Sequence, residues 1–165
     1  NGYVSLVRGE RPAYQIFSRK NQEIDHVISA ISDLIENGHA LPAQIAIGCR
    51  LNRSVSDFII ALHAAGIPHY KMAQDKRIGD RDGVVVLTLH NLKGLEFKHV
   101  FLTQVNDATA PLDLRYKLNS DHPDAGPDAE KSERSLYYVA SSRAIQTLSI
   151  TGFGRPSPWF ASLLV

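Results

Sequence analysis

The sequence lacks several features that identify common classes of protein. Cys49 is its only cysteine, which excludes an internal disulfide bond and a cysteine-rich zinc site. The seven histidines show no tight metal-ligand spacing, so no metal site is predicted. No apolar run approaches the roughly 18 residues that a membrane-spanning helix requires, and the N-terminus lacks the layout of a signal peptide. We therefore expect a cytoplasmic protein without a membrane partner.

Three glycine-containing motifs are also missing. No GxxxxGK[ST] loop occurs, and the sequence contains no Gly-Lys dipeptide, so the chain has no P-loop to hold the phosphates of a nucleotide. The absence of GxGxxG argues against a dinucleotide-binding fingerprint, and the absence of GxSxG argues against a hydrolase with a nucleophile elbow. The chain is therefore not a self-contained ATPase of the P-loop type.

Length and charge limit the number of domains and the kind of contact that the chain can make with DNA. Its 165 residues, 44% of them apolar, suffice for one domain with a hydrophobic core. The net charge of +1 means that any contact with DNA must be local. The first residue is Asn1 and not methionine, and we expect residues 1–13 to be a connector, residues 14–165 to be a single domain, and the whole to be a fragment of a larger protein.

Short apolar runs predict the strands of a sheet. We place these strands at residues 14–17, 45–49, 84–88, 98–105 and 147–151. Helices are predicted where apolar residues recur every three or four positions: residues 24–35 with a stop at Asn37-Gly38, a helix opened by a Ser54/Asp57 capping box and ended at Gly66, and residues 130–144. Residues 67–70 are expected to turn outward, and residues 106–129 to form a long loop. This order predicts an α/β fold with a mainly parallel sheet and helices on both faces.

A polar crossing between two apolar runs predicts a ligand site. Open α/β sheets bind ligands at the carboxyl ends of their strands. The residues that fall there, between the runs of residues 84–102, are Thr88, His90, Lys93, Gly94 and Glu96. Charged groups near strand ends, namely Arg50, the Lys93/Glu96 pair, and Arg134 with Arg143, could converge on one edge, and two converging arginines would indicate a phosphate. The alternative is that each arginine is an exposed surface residue.

Other residues favour structural roles. His90 is more often a hydrogen-bonding residue in such a position than a general base. Cys49 is more often a small buried hydrophobe than a nucleophile, since no basic partner can be assigned to it. Tyr137 and Tyr138 could stack on bases, but one of the two must face inward on a helix, which favours a core role for either.

Three segments resemble motifs of a known protein family, and they occur in the same order as in that family. Residues 86–102 (VLTLHNLKGLEFKHVFL) resemble motif V of UvrD/Rep-type superfamily 1 helicases, and residues 133–144 (ERSLYYVASSRA) resemble their motif VI. Residues 45–53, continued by residues 62–68, are similar to motif IV and the segment after it. The resemblance implies the second RecA-like domain of such a helicase, separated here from the N-terminal RecA-like domain that holds the P-loop and most of the contacts to ATP and Mg²⁺.

The resemblance also implies roles for individual residues. By motif position Arg50 and Arg143 would be arginine fingers that reach the γ-phosphate of ATP in the cleft between the two domains. Glu96 would approach the ribose, and Lys93 and Gly94 would belong to the same nucleotide side, with Gly94 allowing close backbone approach. Thr88 and His90 would face single-stranded DNA.

The sequence departs from the family at two places. Family members often carry an adenine-stacking aromatic residue before the motif IV arginine, where this chain has Cys49, so adenine stacking is not expected there. The accessory 2B insertion is absent or reduced to residues 71–83. The expected function is that of the C-terminal motor domain of an ATP-dependent DNA helicase, inactive in isolation, in a family whose motors serve DNA repair, recombination and plasmid handling. The alternatives are a helicase-like structural or DNA-binding module without catalysis, and a free-standing phosphate-binding domain.

Overall fold

A six-stranded parallel sheet organises the part of the chain that the structure describes. The computed structural model describes residues 11–72, 82–112 and 127–165. The strands are β1 (Ala13–Phe17), β2 (Ile45–Cys49), β3 (His69–Lys71), β4 (Val84–Thr88), β5 (Phe97–Thr103) and β6 (Ala144–Phe153). The α-helices are α1 (Lys20–Glu36), α2 (Asn52–Ala64) and α3 (Pro127–Ser141). The strand order is β1-β6-β5-β2-β4-β3, and each of these pairings is parallel.

The sheet separates two apolar layers. On one face, α1 and α2 pack their apolar stripes against alternate residues of the central strands, Ile45 and Ile47 among them. On the other face, the opposite residues of the same strands meet α3, the C-terminal segment and a 3-10 turn at Leu89–Leu92. All five residues of β2 are buried, as in a strand covered on both sides. The predicted α/β architecture, with a parallel sheet and helices on both faces, is confirmed.

Packing on the second face fixes the turn that follows β4. Leu89 and Leu92 are fully buried, and burial of a leucine side chain contributes about 2 kcal/mol. These leucines pack against Gly48 of β2, which has no side chain. A Cβ atom at this position would lie only 2.8 Å from Leu92 Cδ1. The turn is therefore held against the middle of the sheet, and with it the polar residues that the turn carries.

Several predicted boundaries need correction. The second helix begins at Asn52, two residues before Ser54, so the predicted capping box is wrong. Tertiary structure explains the difference, because the Ser54 hydroxyl donates instead to Gln104 Oε1 at 2.6 Å. Residues 67–70 do not simply turn outward, since His69–Lys71 form the edge strand β3 against β4. The sequence has little apolar alternation there because an edge strand buries little of its surface.

The last helix and strand also differ from prediction. The helix begins at Pro127 and not at residue 130, and it ends at Ser141, while β6 extends over ten residues. Hydrogen bonding and burial hold the start of the predicted loop in place. Thr109 Oγ1 donates to the carbonyl oxygen of Gln104 at 2.6 Å, and both Thr109 and Ala110 are buried. Residues 113–126 of that loop, residues 1–10 of the predicted connector and residues 73–81 of the predicted reduced insertion lie outside the described residues.

In the described ranges, no helix combines the length and apolar character needed to cross a bilayer.

Gly152 provides a test of the close approach between β6 and the chain after β5. A Cβ atom at Gly152 would lie 1.8 Å from the backbone oxygen of Val105, which cannot move without breaking the Val105 N–H to Thr151 O hydrogen bond. We expect Gly152→Ala to lower the free energy of unfolding by about 3 kcal/mol or more. Gly154→Ala is the matched control: Gly154 has φ +79° with no atom near an added Cβ, so only the backbone conformation costs about 1–2 kcal/mol.

Urea denaturation of the three proteins measures this difference through the transition midpoint. Equal destabilisation by the two alanine substitutions would contradict the close approach at Gly152.

Candidate functional site

A buried ion pair lies at the carboxyl end of β2. Arg50 follows the last residue of β2, and its side chain meets Glu133 on α3. Arg50 Nε lies 2.9 Å from Glu133 Oε2, and Arg50 Nη2 lies 2.6 Å from Glu133 Oε1. The two side chains retain only 11% and 7% of their exposure. This two-bond contact is charge-assisted and fixes the orientation of the guanidinium as well as its position.

Two predicted DNA-contacting residues lie at the same edge of the sheet. Thr88 ends β4 and pairs in register with Cys49, the residue before Arg50. His90 follows in the 3-10 turn and is exposed overall. Partial removal of its ring from water lowers the pKa of His90, the positive charge of Arg50 lowers it further, and the Glu133 carboxylate opposes both effects. The imidazole is therefore held neutral at neutral pH and presents one N–H donor.

The other predicted residues lie at the opposite edge. After the turn, the chain returns to the start of β5, so Lys93, Gly94 and Glu96 stand before that strand and are exposed. Arg143 stands before β6, and its carbonyl oxygen accepts a hydrogen bond from the Phe97 N–H at 3.0 Å. Gly94 has φ +83° and open space around the position of a Cβ atom, so its backbone is accessible to a ligand.

The expected convergence of all charged clusters on one edge is therefore wrong. The strands are parallel and β5 is seven residues long, which separates the two edges by roughly 20 Å. Arg50, Thr88 and His90 share the carboxyl edge, whereas Glu96 and Arg143 share the amino edge.

The two other arginines of interest make local contacts. Arg143 turns back along α3, with its Nε 3.1 Å from the Val139 carbonyl oxygen and its Nη2 2.8 Å from Ser142 Oγ. Arg134 pairs with Glu130 at 3.0 Å, and both side chains are more than half exposed.

Cys49 is a buried residue, as the sequence predicted. Its side chain is fully buried, with Sγ 3.3 Å from Thr103 Oγ1. Burial raises the pKa of the thiol to about 12. It neither reaches solvent nor forms a thiolate, which leaves it unable to stack on a ligand or act as a nucleophile.

An aromatic pocket on the outer side of α3 was not predicted. It has a volume of about 330 Å³ and is lined by Arg134, Tyr137, Tyr138, Ser141, Trp159 and Phe160. The Arg134 guanidinium carbon lies 4.7 Å from the centre of the Trp159 ring, a cation–π contact. Tyr137 is 3% exposed and donates to the Thr109 carbonyl oxygen at 2.9 Å, whereas Tyr138 is 75% exposed. The tyrosine pair thus divides between core and surface, and the Pro158-Trp159-Phe160 run was the available sequence signal.

A second buried polar cluster surrounds Gln104, directly after β5. Gln104 adopts φ +55°, which is unusual for a residue with a side chain. Its backbone N–H donates to Glu23 Oε1 at 2.6 Å, and its side-chain Nε2 donates to Asp57 Oδ2 at 3.2 Å. Thr151 Oγ1 also donates to Glu23 Oε1, at 2.7 Å.

The Glu23 carboxyl is buried with one oxygen unsatisfied. Glu23 is 0% exposed, and within the described residues its Oε2 has no hydrogen-bond partner. Burial raises the pKa of this carboxyl, although the hydrogen bonds from Gln104 and Thr151 act in the opposite direction.

The chain resembles known proteins in both sequence and fold. The family model described as UvrD-like helicase C-terminal domain matches residues 70–154, more than half of the chain. The chain belongs to this family. The matched residues include the polar crossing from Thr88 to Glu96, the whole of α3, and Arg143.

Curated relatives match this UvrD-like domain over short stretches of their own length. YjcD of Bacillus subtilis (strain 168) is 31% identical over 117 residues, which cover 71% of this chain and 14% of YjcD. The ATP-dependent DNA helicase PcrA of Staphylococcus aureus (strain Mu50) is 36% identical over 81 residues, which cover 46% of this chain and 10% of PcrA. The matched region is therefore a small part of each relative.

Solved structures support the fold. The C-terminal domain of a possible DNA helicase from Lactobacillus plantarum WCFS1 superposes with a TM-score of 0.66 at 20% identity, covering 96% of this chain and 86% of that one. The C-terminal domain of the DEAD-box protein Dbp5 gives a TM-score of 0.56 at 11% identity, covering 93% and 81%. The UvrD-like domain has the RecA-like fold that the sequence predicted.

The Glu23 carboxyl makes the stability of the domain depend on pH. The folded state binds a proton at Glu23 more tightly than the unfolded state does, so this contribution to stability is lost as pH rises from about 4.3 through the raised pKa. Glu23→Gln removes the titration, while the amide oxygen can still accept the two hydrogen bonds of Oε1. We expect the free energy of unfolding of the variant, relative to the parent, to improve as pH rises over that interval.

Urea titrations at several pH values measure the slope of this difference, which is independent of the constant cost of burying the amide. Glu36→Gln, at an exposed position in the same helix, is the control substitution. A difference that does not change with pH would contradict a raised pKa at Glu23.

Proposed function

We propose that this domain is the C-terminal motor domain of an ATP-dependent DNA helicase or translocase. In this proposal it joins an N-terminal RecA-like domain, contributes arginines to ATP bound between the two, and forms part of the single-stranded DNA path. The observation that carries the proposal is the family match over residues 70–154, which contains both Arg143 and the polar crossing of Thr88 to Glu96. The relatives YjcD and PcrA are much longer than this chain, in keeping with a partner domain.

The amino edge of the sheet suits the nucleotide. Glu96 and Arg143 stand side by side there, and Gly94 offers exposed backbone. In the proposed complex the Glu96 carboxylate accepts hydrogen bonds from the ribose hydroxyls, and Lys93 adds a positive charge on the same side. Mg²⁺ would be held mainly by the N-terminal domain, as the resemblance to UvrD-like helicases implies.

Arg143 is the less tightly held of the two proposed arginine fingers. Its side chain rests on the last turn of α3 through a carbonyl oxygen and a hydroxyl, and neither partner is charged. It can therefore leave those contacts at little cost and extend toward a phosphate, where a guanidinium offsets the negative charge that spreads over the γ-phosphoryl oxygens during transfer. Arg50, in contrast, is held by Glu133 at the carboxyl edge, away from Glu96 and Arg143, so the proposal depends on Arg143 as the finger.

The DNA path is proposed to use two kinds of contact. Thr88 and the neutral His90 at the carboxyl edge can donate hydrogen bonds to backbone phosphates, which position a strand without reading its sequence. The aromatic pocket beside α3 can stack bases on Trp159 and Tyr138, with the charge of Arg134 close by. Both contacts are local, as a net charge of +1 requires.

The first test concerns ATP turnover by the full-length protein. Arg143→Ala is expected to lower the single-stranded-DNA-stimulated kcat for ATP by about 10³-fold, because the developing charge loses its counter-charge. Affinity for single-stranded DNA is expected to remain within about twofold. Lys131→Ala, which removes an exposed cation from the same helix, is the control.

Unchanged turnover in Arg143→Ala would contradict the role of Arg143 as an arginine finger. Absence of DNA-stimulated ATP turnover in the parent full-length protein would favour the inactive helicase-like module instead. Hydrolysis or tight binding of ATP by the isolated chain would count against the role of a motor half and for a free-standing phosphate-binding domain.

The second test concerns the aromatic pocket. Trp159→Ala in the full-length protein is expected to weaken binding of an oligo(dT) strand by about 1–3 kcal/mol, the range for loss of one stacked base. Trp159→Phe keeps an aromatic face and is expected to lose less. Fluorescence anisotropy at one fixed salt concentration measures both, and equal affinity of the alanine variant and the parent would remove the pocket from the DNA path.

A further inference from the structure

We propose that the single-stranded DNA path extends from Thr88 and His90 along the carboxyl edge of the sheet, where Arg53, Arg155 and Arg19 bind backbone phosphates. We call these three residues the arginine row. The inference rests on the proposed function, because it assumes that the carboxyl edge meets DNA. It adds three binding residues to the domain and gives the path a course across five strands.

Each member of the arginine row stands just beyond the carboxyl end of a strand. Arg53 lies in the first turn of α2, four residues after β2 ends at Cys49, and Arg155 and Arg19 each stand two residues after the ends of β6 and β1. Because the sheet is parallel with the order β1-β6-β5-β2-β4-β3, these positions share one edge. At about 4.8 Å between neighbouring strands, this edge measures roughly 19 Å from β4 to β1.

Hydrogen bonds hold the chain around Arg155 level with its neighbours. The Gly154 N–H donates to the Phe17 carbonyl oxygen at 2.9 Å, and the Asp107 N–H donates to the Arg155 carbonyl oxygen at 3.1 Å. The last residues of β1 and β6, Phe17 and Phe153, also pair directly. Arg155 therefore lies between the chain that follows β5 and the end of β1, so the edge continues without a step on this side.

The guanidinium groups of the arginine row are available to a ligand. Arg19, Arg53 and Arg155 are exposed, and no carboxylate among the described residues forms a salt bridge with them. A guanidinium stays charged at any working pH, and its planar fork matches the oxygens of a phosphate. The row therefore offers three free cations at one edge of the sheet.

Most of the acidic groups near this edge are already paired. Lys20 pairs with Asp57 at 3.1 Å, and Arg50 pairs with Glu133 at 2.6 Å. Among the described residues that directly follow the strands, Asp107 is the exposed acid that remains. Three free arginines thus face one free aspartate, and the edge is locally positive although the whole chain has a net charge of only +1.

Two helices add to the positive potential of the same edge. Helices α1 and α2 begin there, at Lys20 and Asn52, so the positive ends of their backbone dipoles lie beside the arginine row. Such helix ends favour a nearby anion. The side-chain charges and the backbone dipoles therefore attract the same kind of ligand.

The spacing of the arginine row indicates a polymeric anion. Arg53 and Arg19 follow β2 and β1, which are three strand intervals apart, or roughly 14 Å. A single phosphate group is too small to contact both ends of the row. A nucleic acid strand carries one phosphate per nucleotide and can meet each arginine in turn, without any of them reading its sequence.

The experiment measures binding of oligo(dT) to the full-length protein by fluorescence anisotropy between about 0.05 and 0.2 M salt. Arg19→Ala, Arg53→Ala and Arg155→Ala are each expected to make the slope of log K against log[salt] shallower by about 0.7, because one phosphate contact is lost. The same loss weakens binding by about fivefold at about 0.1 M salt, and the triple variant is expected to bind roughly 100-fold more weakly. Melting temperatures report folding and should stay close to the parent value, since all three positions are exposed.

Arg11→Ala is the matched control. Arg11 stands two residues before β1 and Arg19 stands two residues after it, and both are exposed. The control therefore removes the same side chain at the opposite edge of the sheet. It is expected to keep the affinity and the salt slope of the parent.

Asp107→Asn gives a change of opposite sign. A strand that passes from Arg53 to Arg155 crosses the end of β5, where the Asp107 carboxylate repels its phosphates. Removal of this charge is expected to tighten binding by about twofold at low salt. Affinity equal to or below that of the parent would overturn the proposed course across β5.

The other contrary outcomes are distinguishable. If the full-length parent does not bind oligo(dT), the proposed function fails, and the inference fails with it. If His90→Ala weakens binding but the three arginine substitutions leave the salt slope unchanged, the inference alone is overturned. If Arg11→Ala lowers the slope as much as Arg19→Ala does, the effect does not depend on the carboxyl edge, and the inference is again overturned.

Discussion

The parallel pairing of β2 with both β4 and β5 is the constraint on which the rest of the structure depends. It places the ends of three central strands at one edge, so that Arg50, Thr88 and Gln104 emerge together. It equally requires the chain after β4 to cross back before β5 begins. The crossing leads from the proposed DNA contacts at the carboxyl edge to the proposed nucleotide contacts at the amino edge. The buried leucines of the 3-10 turn hold it against β2. The proposed DNA and nucleotide contacts are thus two ends of one connection.

Helix α3 runs in the same direction, from the carboxyl edge of the sheet to the amino edge. It begins on the carboxyl side, where Glu133 meets Arg50, and ends beside β6, where Arg143 meets the start of β5. Its outer side contributes Tyr138 and Arg134 to the aromatic pocket with Trp159. One rigid helix therefore touches each group of residues to which the proposed function assigns a role. A change in its position, such as closure against a neighbouring domain would impose, would reach the arginines and the pocket together, which is the physical requirement for coupling between nucleotide and DNA.

Much of the fold could be predicted because local signals and tertiary structure agree. The β2 and β4 boundaries follow from short apolar runs that need burial on both faces, and α1 follows from its apolar stripe and the left-handed Gly38. The failures occur where long-range contacts override local preference. Ser54 has the sequence context of a helix cap, but its hydroxyl donates to the buried side-chain amide of Gln104, 50 residues away. The edge strand β3 has no strong pattern because only its pairing with β4 specifies it.

The sequence by itself determined the chemistry that is present: two arginines at motif positions, a polar crossing between buried strands, no P-loop, and a buried cysteine where a stacking aromatic residue would be expected. Only the tertiary structure decided which of these groups meet. Spacing along the chain does not reveal that Arg50 is paired with Glu133, that Arg50 and Arg143 lie at opposite edges, or that Trp159 lies beside Tyr138. Such contacts join residues tens of positions apart, and their geometry is set by strand order, register and helix packing, which depend on the whole chain at once.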